Sequence, residues 1–351
     1  MWLHIGLPKT ASSFVQETLK SNAGPLSAQG YLYPRSGRQG AGHRLLAFPF
    51  LPENRARQPD VAPHLEAARK AWPALERELT DGPERNLILS SEYFCDVQEI
   101  APVAAACRSI AASTRVVVYL RRQDRFLESG YNQGVKAGLQ TGRLGLGPEV
   151  PKSLDWYALV SRWARHFGRE NVIVRVFEEA VAEGRMIEDF CAAVGLDSGP
   201  IVPAERRNAR LSNEVLGYRR VENALGLTGS RLAHRVTERM RAVGYPERHI
   251  LSRKERIRVV EAFEESNRRV AREFLGRSDG RLFDREGLEG PDGVVSDADG
   301  VGAALAVAWD ELNGELDRLR REVAALRTEL QGLRERNGRP WWARWRRRRP
   351  R

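Results

Sequence analysis

Cysteine is nearly missing from this chain: it has three in 351 residues, at positions 95, 107 and 191, with no paired or metal-type spacing. So sparse and odd a set excludes a disulfide scaffold and a thiolate metal cluster. It fits a reducing compartment in which the three thiols are small apolar groups. No apolar run approaches the roughly 18 residues that span a bilayer as a helix. The N-terminus lacks the basic and then long apolar pattern of a secretory signal. The expectation is a cytoplasmic protein. Carboxylates are missing from one stretch in particular: from Arg336 onward there are eight arginines and no acid. Of the net charge of +11, that tail carries eight, which leaves only +3 for everything before it. The body therefore lacks the strong basic field of a nucleic-acid-binding domain.

With 42% hydrophobic residues the chain can bury a substantial core. Apolar, β-branched runs at 2–5, 86–90, 115–120 and 171–177 read as buried strands, and 30–34 as a short additional one. Helical spacing runs through 12–22, 62–79, 99–112, 123–136, 155–167, 184–194, 212–225 and 254–275. Strands separated by helices predict a parallel sheet covered on both faces, with ligands at the carboxyl ends of the strands. Long Gly-rich loops at 35–60 and 137–153 are candidate lids or binding loops.

The first strand runs directly into HIGLPKTASSFVQ, residues 4–16. A strand, a turn at Gly6 and Pro8, a lysine with hydroxyls, and then a helix start make an anion-binding arrangement. Unpaired amides and the helix dipole favour negative charge there, Lys9 adds a point charge, and Thr10, Ser12 and Ser13 add neutral donors. The nucleotide-triphosphate loop GxxxxGK[ST] does not fit, because no glycine stands before Lys9. A second segment, RVVVYLRRQDRFLESGYNQ at 115–133, ends a buried strand in Arg121 and places Ser129 eight residues later, in the helix that follows. A two-pronged guanidinium and a hydroxyl at that spacing can converge on one phosphate.

PKTASS and the Arg121–Ser129 pair, in that order, resemble the cofactor motifs of sulfotransferases that use PAPS (3′-phosphoadenosine 5′-phosphosulfate), particularly bacterial members with PKT at the N-terminus. The resemblance covers roughly residues 1–285. It implies a P-loop-like parallel α/β sheet flanked by helices, and transfer of a sulfuryl group from PAPS to a hydroxyl or amine, with no metal. It implies that Lys9, Thr10, Ala11, Ser12, Ser13 and Phe14 cradle the 5′ end of the donor and that Arg121 and Ser129 hold the 3′-phosphate. Lys9 would stabilise the leaving group. Glu92, in ILSSEYF after a buried strand, is the candidate base, with His43 second. Tyr93, Asn132 and Lys136 are candidate acceptor contacts, and the basic segment RRNARLS (206–212) is a candidate cover. The acceptor expected is a saccharide or glycolipid. A nucleotide kinase or NTPase on the same fold, and a non-catalytic coiled-coil protein, are the alternatives.

These readings divide the chain into an α/β domain (1–289), a Gly-rich linker (290–304), a coiled coil (305–337) and a Trp/Arg-rich tail (338–351). The coiled coil rests on Trp309, Leu312, Leu316, Leu319, Val323, Leu326, Leu330 and Leu333, alternately three and four apart. With Trp309 at position a, Glu315, Glu322 and Glu329 fall at g, and Arg320, Arg327 and Arg334 at e. A parallel pair sets each Glu beside a partner Arg, whereas an antiparallel pair sets like charges together. Self-association as a parallel homodimer is expected, with both tails on the same side. A trimer stays open, because leucine occupies two of the a positions.

The tail, WWARWRRRRPR (341–351), pairs indoles with clustered arginines and is expected to lie on an anionic membrane at its inner face. Nucleic acid is the second reading and a solvated tail the third. Sedimentation of the full-length protein with anionic liposomes, and its loss on removal of residues 338–351, is the expected outcome. Full-length protein left in the supernatant would contradict it.

Overall fold

The computed structural model describes residues 1–80, 86–205, 210–226, 231–244, 248–288 and 297–337. Five strands form one parallel sheet: β1 (Trp2–His4), β2 (Tyr31–Leu32), β3 (Asn86–Ser90), β4 (Arg115–Leu120) and β5 (Val172–Val176). Their order is β2-β3-β1-β4-β5. The chain runs to one side of β1 for β2 and β3 and to the other for β4 and β5. Loops leaving the central strands thus diverge and leave a crevice outside their carboxyl ends.

Side-chain alternation builds two cores. On one face Leu3, Leu87, Leu89, Val116, Val118, Leu120, Val172, Val174 and Val176 join a large cluster with Phe94, Trp156 and Trp163. On the other, Ile88, Val117 and Tyr119 join Val15, Leu19, Met186 and Phe190. Both faces are covered, which is why the strands read as continuous apolar runs rather than as alternating ones.

Helices of nine or more residues are α1 (Ser12–Ser21), α2 (Ala71–Thr80), α3 (Ile100–Ile110), α4 (Gln123–Lys136), α5 (Trp156–Phe167), α6 (Met186–Val194), α7 (Asn213–Ala224), α8 (Arg231–Ala242), α9 (Arg253–Ala262), α10 (Glu264–Leu275) and α11 (Asp297–Asn337). Several start as their sequences dictate. Asp155 accepts from Ala158 N–H at the head of α5, and Ser252 with Glu255 forms a capping box on α9. Some spans differ from expectation. The stretch 62–79 is broken into Ala62–His64, Leu65–Arg69 and α2, because Pro73 lacks an N–H and its ring opposes the carbonyl four residues back. Residues 254–275 are two helices divided at Phe263. The 35–60 loop folds largely into short turns, with helices at Arg44–Ala47 and Glu53–Ala56. α8 was not expected; its apolar signal is one residue in four (Leu232, Val236, Met240) in a charged background.

Contacts divide the chain into two compact units. The first comprises Met1–Gln133, Leu144–Arg210 and the chain from His249 towards the C-terminal helix, and contains the sheet. The second comprises Gly134–Arg143, Leu211–Arg248 and the C-terminal helix. Within it α7 and α8 pack on α11, Val215, Leu216, Val236 and Met240 are buried, and Arg235 and Arg239 bind Glu311. Residues 211–248, expected within the α/β domain, therefore group with the C-terminal helix. That helix opens at Asp297, inside the stretch expected to be linker. Residues 289–296 and the tail from 338 lie outside the described residues.

The start of α4 is anchored by a buried ion pair. Arg122 and Asp124 are 1% and 0% exposed and meet through two parallel bonds of 2.8 and 3.0 Å. Arg122 also donates to the carbonyls of Asp284 and Glu286. Asp124→Ala removes both parallel bonds, leaves the buried Arg122 only a 3.5 Å contact with the Asp284 carboxylate, and should destabilise the protein by about 3–5 kcal/mol in urea unfolding. A loss of under about 1 kcal/mol would show that the pair is not what holds this corner.

Candidate active site

β1 hands the chain to a turn that only glycine can make at its first bend. Gly6 has φ +33°, and a Cβ there would lie 2.7 Å from Ser12 Oγ. Lys9 and Ala11 both take left-handed backbone conformations, with φ of 66° and 59°. Such conformations cost of order 1 kcal/mol each and persist only where neighbours impose them. Here Thr10 Oγ1 (2.7 Å) and Ser12 Oγ (3.1 Å) both donate to the carbonyl of Leu7. These two buried hydroxyls thus spend their protons on the loop itself. No side chain caps α1, so its first-turn amides are presented at the crevice. Ser13 is exposed and Phe14 half-buried. Lys9 Nζ donates to the neutral amide oxygen of Gln133 at 3.3 Å. Burial, then the nearby Arg121, holds the Lys9 pKa below its ordinary value, with Glu92 opposing.

Arg121 stands at the end of β4 and reaches across to this loop: Nη1 donates to the carbonyl of Lys9 at 2.6 Å. Its guanidinium lies 4.9 Å from the ring centre of Phe177. Its Nε is buried with no partner among the described residues. Burial pushes its pKa down, with Glu178 opposing. Ser129 lies half-buried in the second turn of α4. Its neighbour Glu128 is an anchor, accepting from the backbone N–H groups of Ile250 (2.7 Å) and Leu251 (3.0 Å) and pairing with Arg210 (3.2 Å). Burial raises the Glu128 pKa, but bonds from His249 and Leu251 and the charge of Arg210 outweigh it, so the carboxyl is held below its usual value.

Glu92 opens the short turn after β3, the strand beside β1. It is half-buried, and its Oε2 accepts from Gln16 Nε2 at 3.2 Å. The same Nε2 is 3.2 Å from Ser90 Oγ, which is 2.8 Å from Nδ1 of the buried His4. This chain of Glu92, Gln16, Ser90 and His4 was not anticipated from sequence. Its members are scattered over β1, α1 and β3, and only the register that sets His4 beside Ser90 joins them. Gln16 is itself packed so closely that a Cβ on Gly42 would meet its side chain at 2.6 Å. Burial lowers the pKa of His4 to about 4, so it is neutral.

His43, the second candidate base, does other work. Its ring is fully buried, Nδ1 accepts from Ser90 N–H (3.1 Å) and Nε2 donates to the carbonyl of Pro34 (3.0 Å). Burial lowers its pKa to about 4. Both ring nitrogens are engaged by backbone, which leaves no lone pair for a substrate proton. Tyr93 directs its hydroxyl to Asp60 at 2.8 Å, between the guanidiniums of Arg44 and Arg55. Asn132 is buried in α4, and Lys136 ends that helix within the second unit. Residues 206–209 of the basic segment lie outside the described residues. Among the described residues no group of three or more His, Cys, Asp or Glu is placed to hold a metal ion, and no helix is long and apolar enough to cross a membrane.

The sheet thus brings the ends of three adjacent strands to one crevice: the Lys9 loop after β1, Glu92 after β3 and Arg121 after β4. No family model matches the chain. It is 31% identical over 217 residues to an uncharacterized protein of Archaeoglobus fulgidus, covering 58% of this chain and 57% of that one, so the chain spans a little over half the length of this relative. Among solved structures, it is similar to a sulfotransferase from Alicyclobacillus acidocaldarius, with a TM-score of 0.42 and 19% identity over 66% of this chain and 95% of that one.

Proposed function

We propose that the chain is a PAPS-dependent sulfotransferase whose site is the crevice at the ends of β1, β3 and β4. The observation that carries the reading is the bond from Arg121 to the Lys9 carbonyl. It couples the two anion-binding motifs in one site. The donor set suits a ligand with two anionic ends. It offers a half-buried ammonium held by a neutral amide, a guanidinium whose Nε has no partner among the described residues, and an uncapped helix start.

Lys9, the first-turn amides of α1 and exposed Ser13 would hold the 5′ end of the donor, and Arg121 with Ser129 the 3′-phosphate. When bound, the donor supplies a sulfuryl group on a phosphate leaving group. Glu92 then takes the proton of an acceptor hydroxyl as that oxygen bonds to sulfur and the bond from sulfur to the phosphate oxygen breaks. Lys9 and the α1 amides stabilise the negative charge that the departing oxygen gains. Gln16, donating to Glu92 Oε2, leaves Oε1 for that proton. The acceptor we infer is a saccharide hydroxyl, carried on a lipid if the tail binds membranes.

Arg121→Ala should weaken binding of adenosine 3′,5′-bisphosphate about ten- to a hundredfold, the scale of a lost charge-assisted bond to phosphate. Binding of AMP, which shares only the 5′ end, should fall far less. Equal losses, or preferential binding of ATP with magnesium by the unaltered protein, would remove the assignment. Both ligands can be followed by calorimetry.

Glu92→Gln separates chemistry from binding. Affinity for adenosine 3′,5′-bisphosphate should persist while turnover falls roughly 10²–10⁴-fold, the usual contribution of a general base. Transfer of labelled sulfate at an undiminished rate would place the base elsewhere.

A further inference from the structure

Nine of the fourteen large hydrophobic residues that stand exposed in the described structure lie on one helix, α11. They are its successive a and d positions, beginning one position earlier than the sequence alone suggested, at Leu305, and ending at Leu333. Their exposure runs from 45% to 69%. Scattered exposed leucines need no explanation, but an unbroken apolar stripe of this length does.

The helix has neighbours in its own unit, and they do not cover the stripe. Arg235 and Arg239 of α8 bind Glu311, and Arg235 also reaches Glu315. The half-buried or buried positions near the start of α11 include Val301, Ala308, Glu311 and Glu315. With Trp309 at a, these fall at c and g, about a quarter-turn or more from the centre of the a/d seam. α7 and α8 therefore buttress one flank and leave the seam open along its length.

We propose that a second copy of this chain covers the seam, as a parallel two-stranded coiled coil through residues 305–333. Charge complementarity selects that occupant. Glu322 and Glu329 at g face Arg327 and Arg334 at e of a parallel partner, whereas an antiparallel partner would set Glu against Glu and Arg against Arg. The structure changes which pairs do this. Glu315, the first g residue, is drawn to Arg235 of its own chain; Glu322 meets Arg318 of its own helix at 3.6 Å, a long and exposed contact that an interhelical pair can replace, so orientation is selected by the two later pairs. The first contact instead ties the start of the coil to its own α8.

Light scattering on the full-length protein at micromolar concentration should give twice the 39.6 kDa chain mass. In separate full-length variants, Leu312→Cys and Leu326→Cys should each form a disulfide with its own copy under mild oxidation, beyond the unaltered protein. In an antiparallel coil over the same seam each a residue faces a d residue, so residue 312 faces 330, and only a mixture of Leu312→Cys with Leu330→Cys would cross-link. Leu319→Asp with Leu326→Asp should give the mass of one chain while far-UV circular dichroism stays helical. A monomer or trimer for the unaltered, helical protein, or cross-linking confined to the mixture, would overturn the proposal.

Discussion

One hydrogen bond organises the site: Arg121 Nη1 to the carbonyl of Lys9, 2.6 Å across the mouth of the sheet. For Lys9 to offer that carbonyl, its backbone must take φ of 66°, and Ala11 must follow at 59°. A non-glycine chain does this only if something holds it, and the hydroxyls of Thr10 and Ser12, converging on Leu7, supply the hold. The residue at the head of α1 is Ala11, which has no side chain to cap the helix, so its amides stay available. Strain in the loop, the uncapped helix and the crossing guanidinium are thus one arrangement.

Much of this was legible in the residues. The parity of the strands is in the sequence: odd and even positions of RVVVYL go to opposite cores, and both are apolar. Lys9, Glu92 and Arg121 each follow such a run, and in a parallel sheet strand ends gather on one side. What the residues do not carry is the direction of a hydroxyl or the register between strands. Thr10 and Ser12 read as outward donors and are in fact turned inward. The link from Glu92 to His4 depends on His4 lying beside Ser90. His43 reads as a titratable loop residue, whereas the structure makes it a neutral cross-brace between Ser90 and Pro34. For Thr10, Ser12 and His43 a polar side chain had two uses, and the buried backbone took the one that satisfied its own donors and acceptors.

The second unit shows a different limit. Helical period says that α7 and α11 are helices, but not which unit a helix joins. Residues 211–248 sit between segments of the first unit, so order along the chain assigned them there. Their partner is instead some sixty or more residues downstream, through Arg235, Arg239 and Glu311. Neither the charge-rich sequence of α8 nor the heptads of α11 marks that pairing, since arginines and glutamates on exposed faces look alike until they meet. The linker boundary differs for a related reason: Gly300 and Gly302 weaken helix propensity, but the alanines around them favour it, and a helix already nucleated and packed on one side extends through the glycines.

Two adjacent arginines show how the structure separates support from function. Arg122 is sealed from solvent and matched to Asp124 by two parallel bonds, with two carbonyls taking its remaining donors. Its charge is neutralised on the spot, and nothing about it invites a ligand. Arg121, one residue earlier, is largely buried yet bonded to a carbonyl, with no partner for Nε among the described residues and a ring face beneath it. The nearest acidic influence on it, Glu178, accepts its bond from the Arg122 backbone instead. A buried cation left without its own counter-charge is costly in the folded protein alone. An anion entering the crevice, as proposed, would recover that cost. The contrast between neighbours of identical chemistry therefore marks the candidate anion site more sharply than does the net charge of the chain, most of which lies far along the sequence in the tail.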